Sequence, residues 1–235
     1  MKNLIIFGLF IMGMVLVQFV QAQVKTVDDV INKYIEALGG KEKLITLKSI
    51  RYTGNINIQG NDVSIVQTKL NLKGMRMDIS VAGTENYQVV TPEKGIVFMP
   101  VQGMTEPSPM PEDQLKSGQN QLDVQGALLN YKEKGTAVEL LGTEKLNGDD
   151  NHKLKVTFKN GLVTTYFIGA TNHYINKTVS KRMVNGQEQD METTYSNYKQ
   201  NADGFWFPYN TTSLQGDMIY DKIETNVPVD ENIFK

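Results

Sequence analysis

Lys153-Leu154-Lys155-Val156-Thr157-Phe158-Lys159-Asn160-Gly161-Leu162-Val163-Thr164-Thr165-Tyr166-Phe167-Ile168 is the stretch on which the fold turns. Its first half alternates. Leu154, Val156 and Phe158 fall on one side of an extended chain, and Lys153, Lys155, Thr157 and Lys159 on the other. Asn160-Gly161 interrupts, and residues 162–168 resume an extended pattern. Asn-Gly between two such runs marks a hairpin, because both residues tolerate the positive φ of a type I′ turn. The device recurs at Asn185-Gly186, between residues 174–184 and 188–198, and Asn147-Gly148 is a third candidate. Residues 205–214 and 218–227 read as two further strands.

Moving outward toward the N-terminus, the same period of two holds. Ile50, Tyr52, Ile56 and Ile58 alternate with polar neighbours, Gly60-Asn61 turns the chain, and Val66, Leu70 and Leu72 mark a second strand. After Lys73-Gly74, Met75, Met77, Ile79 and Val81 alternate with Arg76, Asp78 and Ser80. Residues 87–91 and 96–101 add two strands around the turn at 92–95. The sum is about eleven strands joined mostly by short turns, the mark of an antiparallel meander. A helix precedes them: Thr26 caps it, Asp28 and Asp29 sit at the positive end of its dipole, and Val27, Val30, Ile31, Tyr34, Ile35 and Leu38 recur at helical spacing. Gly39-Gly40 ends it, and a short second helical turn follows over residues 41–47. One stretch breaks the meander. Pro100, Pro107, Pro109 and Pro111 are four of the seven prolines, and proline denies a central strand its ladder donor. Pro111-Glu112-Asp113 starts a helix, and residues 115–131 have room for one or two short helices before Gly135.

Composition removes several function classes. The chain of 235 residues carries 24 Lys and Arg against 26 Asp and Glu, two His and no Cys. A near-neutral charge gives no basic patch to neutralise phosphates, so nucleic acid is not an expected partner. Without cysteine there is no disulfide framework, thiolate metal site or cysteine nucleophile. No G-x-S-x-G, H-E-x-x-H, P-loop or G-x-G-x-x-G motif occurs, and no enzyme activity, catalytic residue, metal ligand or cofactor is assigned. Asp149, Asp150 and Asn151 beside His152 lack the spaced ligands of a calcium loop and read as a solvated hairpin turn. His173 stands at a strand start with no carboxylate next to it in sequence. Residues 1–22 read as a secretory signal peptide: Lys2 is the positive region, 4–17 the apolar run, and Val20-Gln21-Ala22 the cleavage site. Cleavage after Ala22 leaves residues 23–235 as one exported, periplasmic domain that is not an integral membrane protein.

So many half-apolar strands must curl or split to cover one face. The expected fold class is α+β: a strongly curved antiparallel sheet forming an unclosed half-barrel, with an N-terminal helix and a central helical lid. Its interior is either a ligand cavity or filled by the chain's own side chains. The ordered motifs Val30-Ile31-Asn32-Lys33-Tyr34-Ile35-Glu36-Ala37-Leu38-Gly39-Gly40, Lys73-Gly74-Met75-Arg76-Met77-Asp78, Glu93-Lys94-Gly95-Ile96-Val97-Phe98-Met99-Pro100, Tyr195-Ser196-Asn197-Tyr198, Asp203-Gly204-Phe205-Trp206-Phe207-Pro208 and Ile223-Glu224-Thr225-Asn226-Val227-Pro228-Val229-Asp230 resemble the periplasmic lipoprotein-carrier superfamily, the LolA/LolB type that includes outer membrane lipoprotein-sorting proteins. The resemblance implies a hydrophobic half-barrel under a helical lid that binds lipid or lipoprotein acyl chains, with an envelope protein receptor as a further partner. It leaves two readings open: a carrier for a lipid-like ligand, or a non-catalytic envelope interaction module with a filled barrel.

Candidate ligand contacts follow from residue type. Phe98, Met99, Met104 and Met110 flank the proline-rich stretch, and methionine adapts to chains of varied shape. Leu115, Leu122, Leu128 and Leu129 would line the inner face of a lid, and the two last are the lid's ligand contacts. In Phe205-Trp206-Phe207, Trp206 points away from its neighbours and faces either ligand or an edge. Each of these side chains reads equally as core filling.

Overall fold

The computed structural model describes residues 25–58, 60–184 and 187–235. The expected leader and cleavage site, and the turn residues Asn185 and Gly186, lie outside the described residues.

Helix α1 (Val27–Ala37) opens with a capping box, in which Thr26 Oγ1 accepts from Asp29 N and the Asp29 carboxylate accepts from Thr26 N. Its Val30, Ile31 and Ile35 are buried, and one turn further on α2 (Lys41–Leu44) contributes Leu44. Thirteen strands follow: β1 (Ser49–Ile58), β2 (Asn61–Leu70), β3 (Gly74–Val81), β4 (Thr84–Val90), β5 (Gly95–Phe98) and β6 (Ser108–Pro109), then α3 (Glu112–Gln119), then β7 (Ala137–Leu146), β8 (Asp149–Thr157), β9 (Val163–Gly169), β10 (Ile175–Val184), β11 (Gln187–Gln200), β12 (Trp206–Ser213) and β13 (Gly216–Thr225). All pairings are antiparallel, in one sheet of order β6-β5-β4-β3-β2-β1-β13-β12-β11-β10-β9-β8-β7. The chain therefore meanders from β1 to one edge, crosses through residues 110–136 to the other edge, and meanders back until β13 pairs with β1. β6 and β7 end the order, so the sheet is unclosed.

Thirteen strands replace the expected eleven. The two additions are the edges. β6 is a two-residue bridge carrying Pro109, too short for any period and placed where proline is tolerated. β7 hides its alternation behind Leu140-Leu141 and a register shift between Leu140 and Gly142. The second strand is also corrected: β2 ends at Leu70, and Leu72 sits in the turn at φ 56°. The turns divide by type. Asn147 and Gly148 both take positive φ between the paired Leu146 and Asp149, as a type I′ turn requires. At Asn160-Gly161 only Gly161 does, and its N–H donates to Phe158 O, so this is a longer hairpin loop with a left-handed glycine. The Asn185-Gly186 expectation falls outside the described residues; the flanking Val184 and Gln187 are paired.

Pleating sorts the sheet into two faces. Ile50, Tyr52 and Ile56 on β1 share a face with Val63, Ile65, Gln67 and Lys69 on β2, and with Met75, Met77 and Ile79 on β3. This is the inner face. The largest core cluster joins Ile50, Leu154, Val156, Ile168, Phe207 and Ile223 from the strands to Val30, Ile31, Ile35, Leu44, Leu128 and Leu129 from α1, α2 and the crossing segment. A second cluster packs Met75 and Val90 under Met110, Leu115 and Leu122. Gly118 makes this close approach possible, since a Cβ there would meet Val90 Cγ2 at 2.9 Å.

Candidate functional site

Helices and the crossing segment fill only part of the inner face. A third apolar cluster consists of strand side chains alone: Ile56, Val63 and Ile65, with the half-buried Ile79, Val81, Met218 and Tyr220 around them. They line one end of β13, β1, β2 and β3, where Ile56 lies opposite both Met218 and Val63, and Ile65 opposite Ile79. This floor and the filled core meet at a belt of tyrosines. Tyr34 comes from α1, Tyr52 from β1, Tyr166 from β9, Tyr195 and Tyr198 from β11, and Tyr220 from β13. Tyr52 and Tyr220 lie with ring centroids 4.9 Å apart.

The belt is dry but not sealed. Burial holds the phenols of Tyr34, Tyr52 and Tyr166 well above the ordinary tyrosine range, and raises Tyr220 to about 12. Yet all four side chains keep accessible surface. Tyr195 Oη meets Thr178 Oγ1 at 3.2 Å and Tyr198 donates to Ile175 O at 2.8 Å. The hydroxyls of Tyr34, Tyr52 and Tyr166 make no hydrogen bond to a described residue, while no fully buried side-chain polar atom of the described residues lacks a partner. These three hydroxyls therefore keep solvent-accessible surface rather than lying sealed in the core. Lys69 neighbours Tyr52. Its ammonium stands 5.7 Å from the Tyr52 ring centroid, and desolvation lowers its pKa to about 8. The arrangement combines an apolar floor with a few convergent polar groups, the composition of a small-molecule site.

Helix α3 spans this inner side. Toward β4 and β5 it is held by apolar contact, with Leu115 and Met110 against Gly95 and Gly118 against Val90. Toward the other half of the sheet its ties are polar. Asn160 Nδ2 in the β8–β9 loop donates to Lys116 O at 3.0 Å, Asn120 Nδ2 donates to Asn160 Oδ1 at 3.3 Å, and Arg182 on β10 lies 3.9 Å from the Asp113 carboxylate.

The residues expected to touch ligand are dispersed. Leu128 and Leu129 are each 1% exposed inside the main core. Met110 belongs to the cluster under α3, and Met99 is buried at the end of β5. Phe98 lies opposite Tyr87, with ring centroids 5.5 Å apart, and shares the outer face with it. Met104 is half-buried in the loop beyond. Trp206 is half-buried 5.8 Å from Tyr174, which stacks on Tyr198 at 4.1 Å. None of the seven belongs to the third cluster. His152, read as part of a solvated turn, is instead buried in β8, 2.9 Å from Lys25 Nζ, and burial followed by that ammonium lowers its pKa. Among the described residues, no three His, Asp or Glu side chains gather to hold a metal, and no helix is long and apolar enough to cross a membrane. The tyrosine belt was open to discovery: Tyr52, Tyr166, Tyr195 and Tyr220 all stand at inner positions of alternating strands.

No protein-family model and no curated protein sequence matches the chain. Solved structures do. A LolA superfamily protein from Nitrosomonas europaea aligns with a TM-score of 0.56 and 13% identity, over 90% of this chain and 98% of that one. A DUF1329 family protein from Desulfovibrio piger aligns with a TM-score of 0.50 and 12% identity, over 89% and 97%. The chain thus shares its fold with that LolA superfamily protein.

Proposed function

We propose that this protein is a non-enzymatic carrier or binding protein, exported to the periplasm, that holds a lipid-like ligand on the inner face of its half-barrel. The observation that carries the reading is the third cluster, which holds no helix residue: half-buried Ile79, Val81, Met218 and Tyr220 surround the buried Ile56, Val63 and Ile65, near hydroxyls that no described residue hydrogen-bonds. Water against its half-buried side chains is the unfavourable state, and an acyl chain replaces it, each buried CH₂ contributing about 0.8 kcal/mol. The likeness in fold to a LolA superfamily protein supports the same reading. In it, α3 is the lid: its apolar side stays docked on β4 and β5 while its polar ties to Asn160 and Arg182 release. Leu128 and Leu129 meet ligand only when the crossing segment moves.

The filled half of the barrel favours a second reading, an envelope interaction module that carries nothing. One pair of substitutions separates the two. Met218 faces the groove and its neighbour Ile219, 49% exposed, faces outward. With a fluorescent fatty acyl probe and protein purified without detergent, Met218→Lys is expected to weaken binding about tenfold or more, since the buried charge is costly. Ile219→Lys leaves it unchanged. A wild-type protein that takes up no probe, or equal effects from both variants, overturns the carrier reading.

A further inference from the structure

Arg182 on the inner side faces Asp113, whereas Lys69 has no acidic partner among the described residues. Lys69 lies on β2 opposite Ile50 of β1 and Met75 of β3, so its side chain stands on the inner face between two apolar clusters. Patterning would place a polar outward residue there. The side chain makes no hydrogen bond and no ion pair with any described residue, its one recorded contact being the Tyr52 ring. Because no fully buried side-chain nitrogen of the described residues is left without a partner, the Lys69 ammonium reaches accessible space. An unpaired ammonium in a desolvated groove is unfavourable unless a counter-charge arrives.

The described residues supply none. On β1 and β13 the titratable neighbours are the phenols of Tyr52 and Tyr220, and on α1 that of Tyr34, all held neutral by burial. The inner positions of β3 and β4 opposite are Met75, Met77, Gln88 and Val90. On the crossing segment, Asp123 is already engaged by Lys134 at 2.6 Å, and on α3 Glu112 pairs with Lys116 at 2.6 Å while Asp113 faces Arg182. Lys69 is thus an unneutralised positive charge, with the apolar Ile65 and Val63 further along the same face of the same strand.

We infer that the ligand is a long-chain carboxylate, its acidic head on Lys69 and its tail against the half-buried Ile79, Val81 and Met218 that surround Ile65 and Val63. This rests on the carrier reading and adds the chemical class of the ligand. One lysine matches a singly charged carboxylate; a phosphomonoester head, at about −1.5 to −2, carries more charge than one lysine neutralises. The unpartnered Tyr52 hydroxyl is a second donor on the same side.

The test compares palmitate with hexadecanol, which share the tail and differ in the head, on the wild type and on Lys69→Met and Lys69→Arg. A charge-assisted hydrogen bond makes the wild type bind palmitate about tenfold to a hundredfold more tightly than hexadecanol. Lys69→Met removes that preference and keeps hexadecanol binding, and Lys69→Arg retains the preference. The preference also has a pH limit. The carboxylate stays ionised while the free Lys69, with its pKa lowered to about 8, loses its proton above that pH, so palmitate affinity falls from pH 8 to 10 and hexadecanol affinity does not. Equal binding of both ligands by the wild type overturns this inference and leaves the carrier standing, as does a preference that Lys69→Met preserves. Binding of neither ligand overturns the carrier reading itself.

Discussion

Asn201 fastens the end of β11 to β13 from the inside. Its Nδ2 donates to Ile223 O at 3.2 Å and to Thr225 Oγ1 at 3.1 Å, and its Oδ1 accepts from Phe205 N at 2.9 Å and Asp203 N at 3.2 Å. The side chain is 8% exposed, so water has little access to substitute for any of these bonds. It also sets the turn that delivers Phe205 and Phe207 into the main core. Asn201→Leu fits the volume and leaves two N–H groups without acceptors. The expected cost is about 2–4 kcal/mol, seen as a lower urea midpoint with an unchanged slope. A loss below 0.5 kcal/mol would mean the turn holds itself. Lys69 makes the opposite point at the same scale: here a polar group is conspicuous because nothing satisfies it.

Among the elements, legibility followed the cleanness of the period. The turn at Asn147-Gly148 and the alternation of β8 could be read because each residue there does one thing. β2 could not be. Val63-Ser64-Ile65-Val66-Gln67-Thr68-Lys69-Leu70 has apolar residues on both faces, and its inner face includes Gln67 and Lys69. Reading Val66, Leu70 and Leu72 as the apolar side therefore chose the outer face, and with it hid the groove's floor and its charge. The helical insert was readable as an element from Pro111-Glu112-Asp113, but not its bonds to Asn160, since a loop amide carries no mark of its distant partner. Those bonds make α3 testable as a lid. Asn160 is a surface residue, and Asn160→Ala is expected to change stability by no more than about 0.5 kcal/mol. Stopped-flow mixing with the acyl probe should show both association and dissociation faster than wild type, with little change in affinity. Unchanged rates would mean α3 does not gate the groove.

At the scale of the molecule the decisive feature is the seam between β1 and β13. Tyr52 lies opposite Gln67 on one side, a near neighbour in the chain, and opposite Ile223 on the other, almost the whole chain away. The seam also bulges at Thr53-Gly54, where a Cβ on Gly54 would stand 2.1 Å from Ile219 O, so the two strands approach too closely for any side chain at that point. Without this pairing the sheet is two separate meanders, one carrying the groove floor on β1 to β3 and the other most of the tyrosine belt; the site exists only once they join. Loop closure over such a length has to precede the contacts that reward it, so seam contacts form late and refolding takes milliseconds to seconds. Trp206, the sole tryptophan, reports the process. Ile223→Ala at the seam and Val156→Ala in the β8–β9 hairpin both empty a buried site and both cost about 2–4 kcal/mol. In chevron experiments the seam variant is expected to speed unfolding and leave folding nearly unchanged, a φ-value near zero, while the hairpin variant slows folding. A φ-value near one at Ile223 would reverse the order, making the seam the nucleus around which the two meanders assemble.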